Sequence, residues 1–151
     1  MIHKLQHKNK DIARKIRSVF QISYAVEAKL LSAVDFPPLK RKLEDFIESN
    51  NTFFGVFLND ALAGVIEIKK SNTSVHIQSL VVAPKFFRQG IGRKLTEYIL
   101  NSYDSKIFTV ETGVKNKPAT ELYKKLGFVE VKQWETDHGV RKVRFEIKEK
   151  L

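Results

Sequence analysis

The sequence has 151 residues and a mass of 17.4 kDa, the size of one ordinary domain. Its 27 basic and 17 acidic residues give a net charge of +10, which favours an anionic partner: nucleic acid, acidic lipid or a polyphosphate cofactor. The absence of cysteine excludes disulfides, a cysteine nucleophile and thiolate-bound metal. No apolar run approaches the ~20 residues that span a bilayer, and the amino terminus has no apolar signal-peptide stretch, so we expect a cytoplasmic protein.

The first third of the sequence predicts one short strand followed by helices. Residues 1–5 have the character of an edge strand. Apolar residues then recur at helical spacing, which predicts a helix with Asp11 as its N-cap that continues through 25–31. Pro37-Pro38 ends this segment because proline cannot donate to the helix ladder. A second short helix is expected over 39–48.

The remainder of the sequence alternates between strands and helices. Strands are expected over 53–58, 63–69, 75–83, 106–111, 129–135 and 140–147, and helices over 91–99 and 116–126. Along the third strand, alternation places His76 and Gln78 on one face and Ile77 and Ser79 on the other, unless a bulge intervenes. The order of elements predicts a mixed α/β or α+β sheet domain, which we treat as one domain over 1–151.

A glycine-containing loop after the third strand is the first candidate site. The strand ends at Ala83 before Pro84, the loop carries Gly90 and Gly92, and a helix starts at once. Glycines let a ligand approach the main chain, and the first helical amides are unpaired donors, which together suit a phosphate. A Walker loop is excluded by the lack of Gly-Lys-Ser/Thr, and a dinucleotide fingerprint by Leu95 at the third glycine position. A tight strand-to-helix turn explains the two glycines equally well.

A second informative segment covers 116–128. Asn116 suits an N-cap, Pro118 the first turn and Gly127 the position after the helix. A well-capped amphipathic helix with Tyr123 at its boundary explains this segment without any chemistry.

Taken in order, the two segments resemble the GNAT superfamily of acyl-CoA-dependent N-acetyltransferases, from about Asp11 to Ile147. The first resembles the cofactor motif Gln/Arg-x-x-Gly-x-Gly/Ala, and the second matches N-x-x-A-x-x-L-Y-x-K-x-G-F without a gap. One departure is Phe87 at the leading Gln/Arg position, which shifts the basic side chain to Arg88. The resemblance implies a mixed, mostly antiparallel central sheet of six or seven strands flanked by about four helices.

The resemblance also implies direct attack of a primary amine on the thioester of acetyl-CoA, which serves as co-substrate in a ternary complex. Tyr123 matches the family's tyrosine that protonates the departing thiolate, a general-acid role. The strand before the loop is implied to pair with the pantetheine arm. The implied cofactor-binding residues are Leu80, Val81, Val82, Arg88, Gln89, Gly90, Ile91, Gly92, Arg93, Asn116, Ala119, Tyr123 and Lys124.

The base for the substrate ammonium stays open among Glu67, His76, Glu111 and a chain of water molecules. The resemblance places acceptor selectivity between the first two helices, which assigns substrate binding to Tyr24, Glu27 and Phe36. Residues 137–139 are expected to form a hairpin turn. The acceptor is expected to be a small-molecule amine or a peptide or protein amine. The histidines show no metal spacing, so we expect no metal.

Two other functions compete with acetyl transfer. A catalytically degenerate domain that only binds acyl-CoA is motivated by Phe87 and by the unidentified base. A basic nucleic-acid-binding module is motivated by the charge, but the basic residues are scattered and no recognised binding motif occurs. We therefore expect no specific nucleic acid and no membrane partner, and both a monomer and a homodimer remain open.

Overall fold

The computed structural model describes residues 1–148 as one sheet with helices on both faces. Seven strands lie in the order β1-β2-β3-β4-β5-β7-β6, and among the residues described the β4–β5 pairing alone is parallel. The strands are β1 (Ile2–Lys4), β2 (Thr52–Leu58), β3 (Ala61–Lys70), β4 (Ser74–Val82), β5 (Ile107–Gly113), β6 (Val129–Glu135) and β7 (Arg141–Lys148). The helices are α1 (Lys10–Leu31), α2 (Leu43–Ile47), α3 (Ile91–Ser102) and α4 (Lys117–Lys125). The predicted fold class is confirmed.

The N-cap of helix α1 lies two residues before the predicted cap. Asn9, not Asp11, is the N-cap, since its side-chain oxygen accepts hydrogen bonds from the amides of Asp11 and Ile12 at 2.9 and 3.1 Å. Asp11 instead lies in the first turn, where a carboxylate interacts favourably with the helix dipole. The helix ends at Leu31, and its C-cap Ser32 is left-handed with φ of 52°.

The single helix predicted over 39–48 is wrong. The chain forms a short 3-10 turn over Pro37–Lys40 and then the five-residue helix α2. Two extended residues, Arg41 and Lys42, separate them. This break directs the Arg41 side chain towards the sheet, where it meets Glu67.

The two faces of the sheet bury two separate cores. On one face α1 and α2 cover the sheet, and Ile16, Phe20 and Phe46 pack with Phe53 and Val65. On the other face α3 and α4 contribute buried residues to a larger cluster around Ile66, Ile68, Leu95, Ile99 and Phe145. Among residues 1–148, no helix combines the length and apolarity that a membrane crossing requires.

A bulge at Gln78 interrupts the alternation predicted along β4. Glu67 of β3 pairs with Ser79 and Ile68 pairs with Ile77, so Gln78 is the extra residue. Ile77 packs in the core on the α3 face, and after the bulge Leu80 and Val82 pack there too. Ile77 and Ser79 therefore lie on opposite faces, because one extra residue reverses the side-chain parity.

Strands β4 and β5 pair for only part of their length. Their register runs from Ser74 opposite Ile107 to Ile77 opposite Val110 and ends there. Strand β4 continues to pair with β3 as far as Val82. From Gln78 onwards, the edge of β4 that faces β5 has no strand partner among residues 1–148.

Candidate active site

A cleft of about 950 Å³ opens where β4 and β5 diverge. Its walls come from α1, the residues around Phe36, the start of α3, and α4. The predicted site residues that line it are Tyr24, Glu27, Phe36, Leu80, Val82, Arg88, Gly90, Ile91, Gly92, Arg93, Glu111, Asn116, Ala119 and Tyr123. Segments separated by almost a hundred residues in the sequence thus meet around one cavity.

Five predicted site residues lie outside this lining. The side chain of Val81 packs in the core on the α1 face. Gln89 and Lys124 are exposed. Glu67 is fully buried beneath α1 and α2, and His76 lines a separate, smaller cavity.

The start of α3 forms an open cradle of main-chain amides at one end of the cleft. Gly90 is the N-cap, with φ of +74°, and no side chain caps the first amides of the helix. An added Cβ at Gly90 would meet nothing within 4 Å, so the space in front of the helix end is free. Arg88, also left-handed with φ of +65°, and Arg93 line the cleft beside it. Unpaired amides, a helix dipole and two guanidinium groups together suit a phosphate or pyrophosphate.

Tyr123 of α4 packs in the core and contributes to the lining of the cleft. Its ring is buried against Phe128 and Phe145, with centroids 5.6 and 6.1 Å away. The Tyr123 hydroxyl makes no hydrogen bond within residues 1–148. Every side-chain oxygen or nitrogen there that is shielded from solvent has a hydrogen-bond partner, so the Tyr123 oxygen is not shielded and is accessible from the cleft. Burial, with smaller contributions from Tyr24 and Glu27, raises the pKa of Tyr123, and the phenol stays protonated near neutrality.

Tyr24, Glu27 and Phe36 form the opposite wall. The ring of Tyr24 lies 5.9 Å from that of Phe36, which in turn lies 5.9 Å from His138. Glu27 Oε1 accepts a hydrogen bond of 2.5 Å from Asn116 Nδ2. Burial raises the pKa of Glu27, while the Asn116 bond and the charge of Lys142 oppose that rise.

Glu67 has both carboxylate oxygens occupied. Arg41 donates to Oε1 at 2.7 Å and to Oε2 at 2.9 Å, and Asn51 Nδ2 donates to Oε2 at 2.8 Å. The side chain is completely buried. An occupied carboxylate that does not line the cleft is poorly placed to receive a proton from a substrate there.

His76 and Glu111 meet at a second cavity of about 490 Å³. His76 Nδ1 lies 2.6 Å from Thr109 Oγ1, and burial lowers the pKa of His76. Glu111 lines both cavities and accepts a hydrogen bond of 2.8 Å from Arg144. In the described part of the chain no group of three or more His, Asp or Glu side chains is arranged to hold a metal ion.

Three charged or titratable side chains in the described lining of the cleft were not among the predicted site residues: Arg41, His138 and Lys142. His138 lies in the predicted hairpin turn, which the structure confirms, and its carbonyl accepts from the Val34 amide at 3.0 Å. Lys142 comes from β7. Neither His138 nor Lys142 belongs to a local sequence motif, because both reach the cleft only through the pairing of β6 and β7.

The family assignment follows from comparison with known proteins. Residues 25–149 match the acetyltransferase (GNAT) domain family. The chain belongs to this family. The family and acyltransferase class predicted from the two motifs are therefore confirmed.

Similar proteins extend this assignment. The UPF0157 protein YqkA of Bacillus subtilis (strain 168) is 37% identical over 129 residues, which cover 85% of this chain and 38% of YqkA. The chain thus spans well under half the length of this curated relative. The ribosomal-protein-S18-alanine N-acetyltransferase of Escherichia coli has the same fold, with a TM-score of 0.76, 19% identity and coverage of 98% and 92%. YncA of Salmonella typhimurium, solved with its cofactor acetyl-CoA, has a TM-score of 0.75, 14% identity and coverage of 98% and 92%.

Proposed function

We propose that this chain transfers the acetyl group of acetyl-CoA to a primary amine, by direct attack of the amine within a ternary complex. One observation carries the proposal: a cradle of free amides, an unpaired strand edge and a tyrosine hydroxyl open to the cleft meet at one cavity. A phosphate site, a site for an extended amide-containing arm and a proton donor are the three features that acetyl-CoA-dependent transfer requires.

The chain's residues fit acetyl-CoA along the length of the cleft. The amides after Gly90, with Arg88 and Arg93, would hold the pyrophosphate. The free edge of β4, from Gln78 to Val82, would pair with the pantetheine amides as an added strand. The departure at Phe87 leaves this fit intact, because the amide cradle depends on the main chain and Arg88 already lines the cleft.

Tyr123 is the proposed general acid. The raised pKa of Tyr123 disfavours the phenolate as a stable species. Tyr123 therefore gives its proton to the thiolate while it receives a proton from the attacking nitrogen. The thioester supplies the acetyl group and the leaving thiolate. We assign the acceptor end of the cleft to Tyr24 and Phe36, with a small-molecule or peptide amine as acceptor.

The two competing functions gain less support. A degenerate acyl-CoA-binding domain would not need a tyrosine hydroxyl that is accessible from the cleft. A nucleic-acid module would need its basic side chains on one face, whereas two of them, Arg88 and Arg93, line a deep cleft beside a phosphate cradle. We propose that residues 1–151 form one GNAT-like acetyltransferase domain of a cytoplasmic enzyme that uses no metal, and that this enzyme is a monomer or a homodimer.

Calorimetric titration of acetyl-CoA into two Gly90 variants tests the donor site. Gly90→Asp and Gly90→Asn both tolerate the left-handed conformation and both suit an N-cap, so they differ mainly in charge. Wild type should bind acetyl-CoA, and Gly90→Asn should bind it with a modest loss. Gly90→Asp should bind at least tenfold more weakly than Gly90→Asn, because a carboxylate then faces the pyrophosphate. Equal affinities of the two variants would contradict this placement of the pyrophosphate, and no binding by wild type would refute acetyl-CoA as donor.

A further inference from the structure

Among the described residues that line the cleft, one carboxylate takes part in no ion pair. Of the two acidic side chains in the lining, Glu111 is paired with Arg144 at 2.8 Å, whereas Glu27 forms no salt bridge within residues 1–148. Glu67 is engaged by Arg41 outside the lining. A substrate ammonium entering the cleft therefore meets Glu27 as its least engaged anionic partner.

Asn116 fixes the orientation of Glu27 from the other side of the cleft. Its Oδ1 accepts from the Ala119 amide at 3.3 Å and so caps α4. Its Nδ2 then points at Glu27 Oε1, 2.5 Å away, and lies 3.4 Å from Thr112 Oγ1. One amide thus ties α1 to the start of α4, and leaves Glu27 Oε2 without a hydrogen-bond partner among the described residues.

The surroundings of Glu27 suit proton transfer. Tyr24 of α1 and Tyr123 of α4 both lie within electrostatic reach of one another and of Glu27. Lys142 of β7 faces Glu27, and His138 of the β6–β7 turn and Glu111 of β5 line the same cleft. Burial outweighs the Asn116 bond and the Lys142 charge, so the carboxylate is a stronger base than an exposed one.

We infer that Glu27, held by Asn116, anchors the acceptor ammonium and removes its proton, which makes Glu27 the general base of the reaction. This inference rests on the proposed acetyl transfer. It replaces Glu67, His76 and Glu111 as candidates for the base and gives Asn116 a positioning role beyond its helix cap. Because Glu27 faces Lys142 and shares the cleft with Arg88 and Arg93, the cleft should favour monocationic amines over polyamines.

The protons balance along this route. The ammonium R–NH₃⁺ gives one proton to Glu27, and the free amine forms the new C–N bond as the C–S bond breaks. Tyr123 gives its proton to the thiolate, and the second nitrogen proton restores the phenol. Glu27 then releases its proton to solvent, so the net products are the acetamide, the thiol and one proton.

The test compares wild type with three variants. Glu27→Gln removes the proposed base, Glu111→Gln removes the competing candidate base, and Glu121→Gln is the matched control. Glu121 is exposed on α4 and does not line the cleft. The acceptors are glycinamide, L-phenylalaninamide and spermidine, each with acetyl-CoA, and the one that wild type acetylates best is followed from pH 6 to pH 10. A second readout is calorimetric binding of that amine to the enzyme saturated with CoA.

Glu27→Gln should lower kcat/KM near neutral pH by about 10²–10⁴-fold, the range expected for a lost general base. It should also weaken amine binding while acetyl-CoA binding is kept. Since a neutral amine needs no base for its first proton, the deficit should shrink as the pH passes the pKa of the amine, which a purely structural defect would not do. Wild-type kcat/KM should fall as the pH is lowered and Glu27 becomes protonated.

Other results overturn the inference. A Glu27→Gln enzyme within threefold of wild type at all pH values, or a deficit that does not shrink at high pH, rules out Glu27 as the base. A larger loss in Glu111→Gln that recovers at high pH would give the role to Glu111. If wild type acetylates none of the three amines, the proposed function itself fails, and the inference fails with it.

Discussion

Arg41 and Glu67 form a two-pronged ion pair under α1 and α2, with N–O distances of 2.7 and 2.9 Å. The guanidinium carbon lies 4.1 Å from the centroid of the Phe46 ring, and Glu67 has no exposed surface. The pair joins the extended residue between the 3-10 turn and α2 to the centre of β3. The ion pair explains the presence of a buried glutamate at position 67 without a role in catalysis.

Glu67→Gln is therefore expected to destabilise the protein. Loss of one partner leaves the Arg41 charge uncompensated beneath α1, a change that typically costs about 3–5 kcal/mol. Urea unfolding measures the loss. The double variant Arg41→Met/Glu67→Gln should recover much of it, because neither charge then remains. A Glu67→Gln protein with unchanged stability and no activity would instead indicate a catalytic role for Glu67.

Tyr123→Phe tests the general acid without disturbing the fold. The hydroxyl makes no hydrogen bond within residues 1–148, so its removal should leave stability and acetyl-CoA affinity close to wild type. The value of kcat should fall by about 10²–10⁴-fold, since the thiolate then departs without a proton donor. Tyr98→Phe is the control, because Tyr98 of α3 packs against Phe54 of β2 and does not line the cleft. A Tyr123→Phe enzyme with unchanged kcat would exclude the proposed role.

Two glycine variants separate packing from cofactor binding. An added Cβ at Gly64 would lie 2.7 Å from Ile91 Cγ2, at the first residue of α3. Gly64→Ala should cost about 1–3 kcal/mol and weaken acetyl-CoA binding, because overpacking displaces the amide cradle. A Cβ at Gly92 would make ordinary contacts of 3.7 Å with Leu80 and Leu122, so Gly92→Ala should stay within about 1 kcal/mol of wild type. Chemical denaturation and calorimetry distinguish the two, and equal effects would show that the packing of Gly64 against Ile91 does not govern the cradle.

His76 is expected to make the protein less stable in mild acid. Burial lowers its pKa in the folded state, so between the ordinary value near 6.5 and that lowered value the unfolded chain binds more protons. The free energy of unfolding should therefore fall as the pH drops through this window. His76→Gln should flatten the dependence, whereas the exposed His3→Gln should not. An unchanged pH profile in His76→Gln would assign the acid sensitivity to other groups.

The parts of the fold that local pattern determines were predictable from the sequence. Helix α4 follows from its own residues, because Asn116 caps it and its apolar residues share one face. The succession of strands and helices along the second half of the chain follows from alternation and turn residues in the same way, whereas the order of the strands within the sheet was not predicted. The amide cradle at Gly90 was predictable because a helix end needs only its own main chain.

Long-range contacts were not predictable from single segments. The bulge at Gln78 depends on the register between β3 and β4, and it decides which side chains face the cleft. The Arg41–Glu67 pair spans 26 residues and the Glu27–Asn116 pair spans 89. Such pairs carry no periodic signal, since only the tertiary fold brings their two segments together. For this reason the sequence left Glu67, His76 and Glu111 as equal candidates for the base, and only the structure shows that their hydrogen-bond partners and cavities differ.

The most direct test of acetyl transfer is thiol release from acetyl-CoA in the presence and absence of glycinamide, L-phenylalaninamide or spermidine, with mass analysis of the amine. We predict amine-dependent thiol release with at least one of them, accompanied by an amine product heavier by one acetyl group. Thiol release that no amine accelerates, from a protein that binds acetyl-CoA tightly, would contradict acetyl transfer and would favour an acyl-CoA-binding domain without transferase activity.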